Sequence, residues 1–345
     1  MNQKIIFTLN IPYLWNILIY SANMEYYYLF LKSGIFVGFE KLVKNDFVKS
    51  DFTYLWASME AIKIIECPRD AMQGIKPFIP TARKVAYIQS LLRVGFDSID
   101  FGSFVSPKAI PQMQDTAAVL AQLDLSQTTS KLLAVIANTQ GATLASRHAE
   151  IQYLGFPFSI SENFQMRNTH KTIAESLLTL QEILEIADTT NKEVVAYLSM
   201  GFGNPYGDLW STEIVGEWTE KLASMGVKIL SLSDTVGTST PEVISYLFSN
   251  LIPKYPEIEF GAHLHTTPDK WFEKIDAAYK AGCRRFDGAV QGFGGCPMAT
   301  DHLTGNMPTE KLLSYFTAQK EKTNMSPMSF ESAYNEASKL FGEFH

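Results

Sequence analysis

Two histidines lie one residue apart at the end of an apolar run, in the stretch "FGAHLHTTPDKW" from Phe260 to Trp271. Side chains alternate between the two faces of a β-strand, so His263 and His265 are predicted to share one face. Imidazole nitrogens bind divalent metals and exchange protons near neutral pH. The pair therefore indicates metal binding or acid–base chemistry at this end of the strand.

Carboxylates and an arginine lie at the ends of other predicted strands. Arg69 and Asp70 directly follow the first strand. Asp100 lies near the end of the second strand, and Asp234 near the end of the sixth. Taken singly, an aspartate in such a position commonly caps a helix or begins a turn. Because several of these residues end successive strands, we expect them to meet the histidines at one end of the fold.

The last predicted strand leads into a glycine-rich loop, "QGFGGCPMATDHLTGNMP", which contains Cys296 and Asn306. A buried cysteine is usually inert, but Asn306 adds an oxygen ligand to the imidazoles and the carboxylate. Such a mixed set suits Mn²⁺, with Mg²⁺ and open water positions as the alternative. Zn²⁺ is disfavoured because no set of thiolates has its spacing. Arg69 beside the metal would be a fixed cation aimed at developing negative charge.

The elements that must position these side chains alternate regularly from Met59 onward. Their starts lie about 30 residues apart, the length of a strand–helix unit. The eight predicted strands cover residues 62–67, 96–104, 131–138, 153–161, 193–202, 227–235, 258–266 and 283–292.

Helical patterns lie between these strands. "PTARKVAYIQSLLRVG" has apolar residues at helical spacing, and "STPEVISYLFSNLI" begins with an N-capping Ser/Thr and a Pro. "TPDKWFEKIDAAYKAG" repeats that design and is predicted to begin at its Thr-Pro. Eight such units favour an α/β fold, the (β/α)8 TIM barrel, over an open doubly wound sheet. The active site of a barrel lies at the C-terminal ends of its strands.

Composition excludes several classes of function. The net charge of −7 argues against a nucleic acid partner, which requires a basic surface. No G-x-G-x-x-G follows the first strand, so the sequence offers no dinucleotide site. Three cysteines without a C-x-x-C pair fit a reducing compartment, and we expect a cytoplasmic protein.

Residues 1–58 form an N-terminal extension that differs from the remainder, because Ile5 to Met24 is a run of 20 residues without charge. A run of this length also fits a membrane-spanning helix or an uncleaved signal, but it contains a proline, three asparagines and two tyrosines. The expectation is a dispensable extension with Met59 as the functional start. An ordered helical appendage and a membrane segment are the alternatives, and the catalytic barrel is predicted over residues 59–345.

Several motifs, in the same order and spacing, resemble the 3-hydroxy-3-methylglutaryl-CoA (HMG-CoA) lyase family. "PRDAMQ" is similar to the family's P-R-D-G-L-Q, and "SFVSPKAIPQMQD", "SDTVGTSTP", the H-x-H pair and "GFGGCPMA" with the later "GN" match closely. The resemblance covers about residues 62 to 319. It implies a TIM barrel and a metal-dependent Claisen-type lyase.

The resemblance also implies roles for individual residues. The metal ligands would be Asp70, His263, His265 and Asn306. Arg69 would neutralise the enolate of departing acetyl-CoA.

Five more residues receive roles by resemblance. Cys296 would support proton transfer from its loop, while Asp100, in place of a family glutamate, and Asp234 would belong to the catalytic site. Lys76 and Lys108 would contact the phosphates of the acyl-CoA partner, and a homodimer is plausible by resemblance.

The implied reaction is a retro-Claisen cleavage of HMG-CoA to acetoacetate and acetyl-CoA, assisted by Mg²⁺ or Mn²⁺. Either Asp70 or His263 would be the general base. The alternatives are a condensation enzyme of the isopropylmalate or homocitrate synthase type and an inactive barrel that serves as a scaffold. Synthases usually carry a long C-terminal domain, and an inactive copy would be expected to lose some of these residues.

Four departures from the family pattern put the acyl specificity in doubt. The family's V-G-P-R-D is "ECPRD" here, so that Glu66 and Cys67 replace Val and Gly. Thr266 replaces the Asp that follows the H-x-H pair, and Asn204 replaces a frequent Cys. Asp100 is one methylene shorter than the family glutamate.

Overall fold

The computed structural model describes residues 61–295 and 304–344. The predictions for residues 1–58 and for Cys296 lie outside these ranges. Among the described residues, no helix combines the length and the apolar character needed to span a bilayer.

Eight parallel strands form a closed barrel in chain order, with β6 hydrogen-bonded to β7 to complete the circle. A ninth, two-residue strand pairs antiparallel with β7. The strands are β1 (Lys63–Glu66), β2 (Ser98–Ser103), β3 (Lys131–Val135), β4 (Ile151–Ser159), β5 (Glu193–Ser199), β6 (Ile229–Asp234), β7 (Glu259–Thr266), β8 (Arg285–Gly288) and β9 (Gly305–Asn306).

Helices connect the strands and surround the barrel. They are α1 (Pro68–Gln73), α2 (Thr81–Leu92), α3 (Thr116–Leu120), α4 (Thr139–Ser146), α5 (Glu162–Thr169), α6 (Ile173–Thr189), α7 (Thr212–Ser224), α8 (Pro241–Lys254), α9 (Trp271–Lys280), α10 (Thr309–Ala318) and α11 (Pro327–Phe344). Short 3₁₀ turns at Pro111–Met113 and Val290–Gly292 complete the described elements. The predicted TIM barrel is confirmed.

Two layers of side chains hold this barrel together. The strands are buried on both faces, as in other parallel sheets. Alternate residues point inward, and a small cluster that includes Leu133, Val195 and Tyr197 fills the centre. The other face of each strand packs against the helices in one larger core. The carboxyl ends of the strands therefore meet around a single opening.

The eight predicted strands all form, with bounds that differ from the predicted ones by up to four residues at an end. The eighth strand stops at Gly288, because the chain turns at Gln291 with a φ of 62°. Helix α9 begins at Trp271 rather than at the predicted Thr267, whose hydroxyl instead bonds Asp269 in a turn. By contrast, Thr240 caps α8 as predicted, by accepting a hydrogen bond from the Val243 amide.

Candidate active site

The two histidines of β7 share one face of their strand, as predicted. Both line one cavity of about 330 Å³ at the C-terminal end of the barrel, and their ring centroids are 5.3 Å apart. This volume lies in the range of small-molecule sites. The side chains of His263 and His265 alternate with those of Ala262 and Leu264, which pack in the outer core, so the strand itself aims both rings into the opening.

His265 is arranged as a neutral metal ligand. Its Nδ1 lies 3.1 Å from the carbonyl oxygen of Thr235, which can only accept, so Nδ1 carries the proton. Nε2 is buried and has no hydrogen-bond partner among the described residues. Burial, reinforced by the neighbouring His263, lowers the pKa of His265 to about 4. The Nε2 lone pair is therefore free at neutral pH.

His263 is held by a carboxylate that the sequence did not identify. Its Nδ1 lies 3.0 Å from Oδ2 of Asp287 on β8, so Nδ1 donates and Nε2 is free to face the cavity. Burial alone would lower the pKa of His263, but the hydrogen bond and charge of Asp287 raise it above its usual value. Such a carboxylate partner fixes both the tautomer and the orientation of a ligating imidazole.

Substituting Asp287 with asparagine is expected to weaken divalent metal binding about 10-fold, because neutral asparagine makes His263 a poorer ligand. Calorimetric titration of the protein with Mn²⁺ measures this. Ser231→Ala is the control, since its hydroxyl makes only a 3.5 Å contact with the same carboxylate. Equal affinity in the Asp287 variant and the unmodified protein would contradict the role of this pair.

Asp70 and Arg69 lie on the short helix α1, which begins with Pro68 immediately after β1. Proline suits this first helical position, and the turn that it starts brings both side chains to the cavity. Burial alone would raise the pKa of Asp70, but Arg69 and then the two histidines outweigh it, and this pKa lies below its usual value. Asp70 is therefore ionised at neutral pH.

Arg69 is fixed by three neighbours. Its Nε and Nη2 donate to Asp100, at 3.0 and 2.5 Å from Oδ2, while Nη1 donates to Asp70 and Gln73 at 2.8 and 3.0 Å. A guanidinium has five N–H groups, so one N–H of Nη2 has no partner among the described residues. Arg69 therefore lines the cavity with its guanidinium held in place, at the position where the sequence predicts a fixed cation.

Asp100 reaches Arg69 despite being shorter than the family glutamate. The carboxylate is fully buried and bonds both Nε and Nη2, the fork geometry preferred by arginine. Burial raises the pKa of Asp100 to about 6, although Arg69 opposes the shift. Asp100 is placed behind Arg69 and orients it.

Asn306 is brought to the same site by β9, where it pairs with His265 of β7. Its Nδ2 lies 2.8 Å from Oδ2 of Asp70 and 2.9 Å from the carbonyl oxygen of Phe293. Gly294 makes this approach possible, because a Cβ there would lie 2.5 Å from the carbonyl oxygen of Asp70. The glycines of the loop therefore let it pack directly against α1.

These residues fit a divalent metal ion. Ligand atoms of Asp70, His263 and His265 all lie within 4.8 Å of one another. The set combines an ionised carboxylate with two imidazoles, one of which presents an unpartnered buried nitrogen. Asn306 is next to Asp70 and would contribute its amide oxygen once that amide rotates. The donor set suits Mn²⁺ or Mg²⁺ better than a thiolate-bound ion.

Five predicted site residues within the described ranges do not line the cavity. Asp100 lies behind Arg69, and Asn306 lies beside Asp70. Asp234 does not line the cavity either. Ser233 of β6 does, so alternation turns the next residue, Asp234, outward, where its Oδ2 bonds Lys274 at 2.7 Å. This placement differs from the prediction that Asp234 belongs to the catalytic site. Lys76 and Lys108 are exposed, close in sequence to the cavity residues Gly74 and Ala109.

The sequence interpretation missed Asp287 and Gln73. Asp287 lies inside the predicted eighth strand. That it lies beside His263 on the same face is known only from the pairing of β7 with β8. Gln73 was part of the quoted "PRDAMQ" segment, and it bonds both Arg69 and Asp70. Its spacing of three residues from Asp70 on a helix was the available signal.

Comparisons of the chain with a family model and with curated proteins agree on one family. The model of the HMGL-like family matches residues 61–335. Mitochondrial hydroxymethylglutaryl-CoA lyase from Bos taurus is 34% identical over 255 residues, 73% of this chain and 77% of that protein. Hydroxymethylglutaryl-CoA lyase from Pseudomonas mevalonii is 32% identical over 256 residues, 74% of this chain and 84% of that protein.

A solved structure agrees with the sequence matches. The HMG-CoA lyase from Acinetobacter baumannii, in complex with coenzyme A and 3-methylmalate, superposes with a TM-score of 0.75 at 29% identity. The match covers 82% of this chain and 92% of that one. With its barrel, its carboxylate–histidine cluster and these relatives, the chain belongs to the HMGL-like family, a family of enzymes that cleave carbon–carbon bonds.

Proposed function

We propose that this protein is an HMG-CoA lyase that cleaves HMG-CoA into acetoacetate and acetyl-CoA. The observation that carries the proposal is the convergence of Asp70, His263 and His265 within 4.8 Å, in a cavity that Arg69 also lines. The relatives named HMG-CoA lyases support the same reaction. Neither the described residues nor the comparisons favour the condensation enzymes considered as the alternative.

The residues of the cavity divide the work of a retro-Claisen cleavage. A divalent ion held by Asp70, His263, His265 and Asn306 would acidify the tertiary hydroxyl of the substrate. A protein base accepts the hydroxyl proton, and the oxygen's electron pair forms the ketone of acetoacetate as the C2–C3 bond breaks. The electrons of that bond pass to the enolate of acetyl-CoA, which is then protonated at carbon.

Arg69 supplies the stabilisation of the enolate. Arg69 lines the cavity, and the contacts with Asp100, Asp70 and Gln73 hold the guanidinium before the reaction begins. A donor fixed in advance needs no reorganisation when negative charge develops, which is why such groups contribute strongly to rate.

The proton acceptor is either Asp70 or His263, the two candidates from the sequence analysis. The pairing with Asp287 raises the pKa of His263, whereas Arg69 and the histidines lower the pKa of Asp70. On basicity alone, His263 is the stronger acceptor. A nitrogen that ligates metal cannot accept a proton, so His263 performs only one of its two predicted roles at a time.

Further features belong to this proposal. Mg²⁺ or Mn²⁺ is the resident ion, and Lys76 and Lys108 contact the phosphates of coenzyme A near the edge of the cavity. Cys296 supports the return of a proton to the enolate carbon. The free, buried thiols of Cys67 and Cys283 are in keeping with a cytoplasmic location. A homodimer is also proposed.

The proposed activity is tested by measuring acetoacetate release from HMG-CoA by the purified full chain, with Mg²⁺ or Mn²⁺ present. Stoichiometric release of acetyl-CoA should accompany it. Isopropylmalate or homocitrate formation from acetyl-CoA and the matching 2-oxo acid is the control reaction. Condensation without cleavage would replace the lyase proposal by a synthase.

Removal of residues 1–58 is expected to leave kcat and KM within twofold of the full chain. The family match begins at residue 61, so the truncated protein retains every residue proposed for the site. The measurement is the same cleavage assay, together with thermal unfolding of both proteins. An insoluble or inactive truncated protein would assign a structural role to the extension.

A further inference from the structure

Glu66 is a fully buried carboxylate that the proposed reaction does not use. It lies at the end of β1 but points away from the cavity, toward helix α10. By the resemblance described above, it also stands where the family motif has valine. Burying a carboxyl group is unfavourable unless its oxygens find partners, so the contacts of Glu66 are informative.

Both oxygens of Glu66 have partners, and the two partners flank one segment of the chain. Oε1 accepts a hydrogen bond from the Val290 amide at 2.9 Å, and Oε2 lies 2.6 Å from the Thr309 hydroxyl. Val290 lies two residues after the end of β8, and Thr309 is the first residue of α10. Between them lies the glycine-rich segment whose described end includes Asn306.

Backbone contacts bring those two flanks together at the same place. The Ala289 amide donates to the Met307 carbonyl oxygen at 2.9 Å, and the Thr309 amide donates to the Ala289 carbonyl oxygen at 3.1 Å. Gly288 lets Thr309 come close, since a Cβ there would lie 2.8 Å from the Thr309 hydroxyl oxygen. Glu66 therefore links β1 to the place where the two flanks are already hydrogen-bonded to each other.

We infer that Glu66 is a positioning residue that clamps the two flanks of this segment and thereby sets the position of Asn306 at the metal site. The clamp positions Asn306 because only two residues separate Asn306 from Thr309. The amide of Asn306 in turn bonds Asp70. This inference rests on the proposed function for the identity of the ion. Its contacts are nevertheless independent of the substrate.

The protonation of Glu66 identifies the best conservative variant. Burial raises the pKa of Glu66 to about 8, against the opposing hydrogen bonds from Thr309 and Val290. A neutral carboxylic acid and a glutamine amide have similar shape, and each has a carbonyl oxygen that accepts and a second group that donates. Glu66→Gln should therefore keep both contacts, whereas Glu66→Leu keeps the volume and loses them.

The experiment measures amide hydrogen exchange and Mn²⁺ affinity in the full chain without substrate. In Glu66→Leu we expect exchange in residues 289–295 and 304–309 to accelerate at least 10-fold and the Mn²⁺ dissociation constant to rise about 10-fold. Glu66→Gln should remain within twofold in both. Thr219→Val is the control, because it removes a buried hydroxyl bond within α7, away from this segment.

A second pair of variants keeps the test decisive if Glu66→Leu does not fold. Thr309→Val removes only the hydroxyl, and Thr309→Ser retains it, so the valine variant alone should show faster exchange and weaker Mn²⁺ binding. Unchanged exchange and affinity in the folded apolar variants would overturn the clamp. Because neither readout uses HMG-CoA, failure of the lyase activity would leave this result interpretable.

Discussion

Replacing Arg69 with methionine is expected to lower kcat at least 1000-fold while the barrel remains folded. The guanidinium supplies the one fixed positive charge proposed to face the enolate, and loss of a single such donor costs about 100- to 1000-fold even when it is uncharged. The loss should fall on kcat and kcat/KM alike, because the interaction forms chiefly in the transition state.

Folding of this variant depends on Asp100. Removing one partner of a buried ion pair normally destabilises a protein by about 3–5 kcal/mol, since a buried charge is left alone. The pKa of Asp100 is already raised to about 6 with Arg69 present. Without Arg69 this pKa rises further, so Asp100 takes up a proton at neutral pH and avoids most of that cost.

The measurements are steady-state cleavage kinetics and thermal unfolding of Arg69→Met, Arg69→Lys and the double variant with Asp100→Asn. Lysine keeps the charge but not the forked contacts with Asp100, so we expect intermediate activity. The double variant should match Arg69→Met in both activity and stability if Asp100 is protonated there. A kcat within 10-fold of the unmodified protein in Arg69→Met would remove Arg69 from the reaction.

Much of the fold followed from local sequence patterns. Each strand is a short apolar run bounded by turn residues, and burial on both faces is what a parallel barrel requires. Alternation along β7 also predicted correctly that His263 and His265 share a face. Such signals depend only on neighbours in the chain, so they can be read without knowledge of the tertiary structure.

The partners of the site residues depend instead on strand register. Ala262 pairs with Phe286, and continuing this register by one residue places His263 beside Asp287. Nothing local in "CRRFDGAVQG" specifies that pairing. The same limit applies to Glu66, whose partners are more than 200 residues away in the chain.

Resemblance named four metal-ligand candidates that the structure brings close together, but it did not fix the orientation of every site residue. Asp234 ends β6 next to a cavity residue, and strand alternation turns it toward Lys274 instead. The buried lysine also bonds the His265 carbonyl oxygen at 2.8 Å. A motif that resembles the family's therefore identifies a region of the site, while the direction of each side chain is set by the pleat of its strand.

Removing the divalent ion, or one imidazole that binds it, is expected to abolish cleavage. A strong chelator should reduce kcat to background, and added Mn²⁺ should restore it, because acidification of the substrate hydroxyl depends on the ion. His265→Ala should be as inactive as the chelated protein. Its Nε2 has no hydrogen-bond partner among the described residues, so its loss removes a metal ligand and leaves only the Thr235 carbonyl oxygen unpaired.

A readout without substrate separates this effect from unfolding. A ligand present at 100 times its dissociation constant stabilises the folded state by about 2.7 kcal/mol, so Mn²⁺ should raise the Tm of the unmodified protein. His265→Ala should unfold cooperatively yet show no rise in Tm with Mn²⁺. His148→Gln is the matched control, since that half-buried histidine packs on Phe104 and does not line the cavity. A normal Mn²⁺-dependent rise in Tm for His265→Ala, or full activity in chelator, would show that the cluster of Asp70, His263 and His265 is not a metal site.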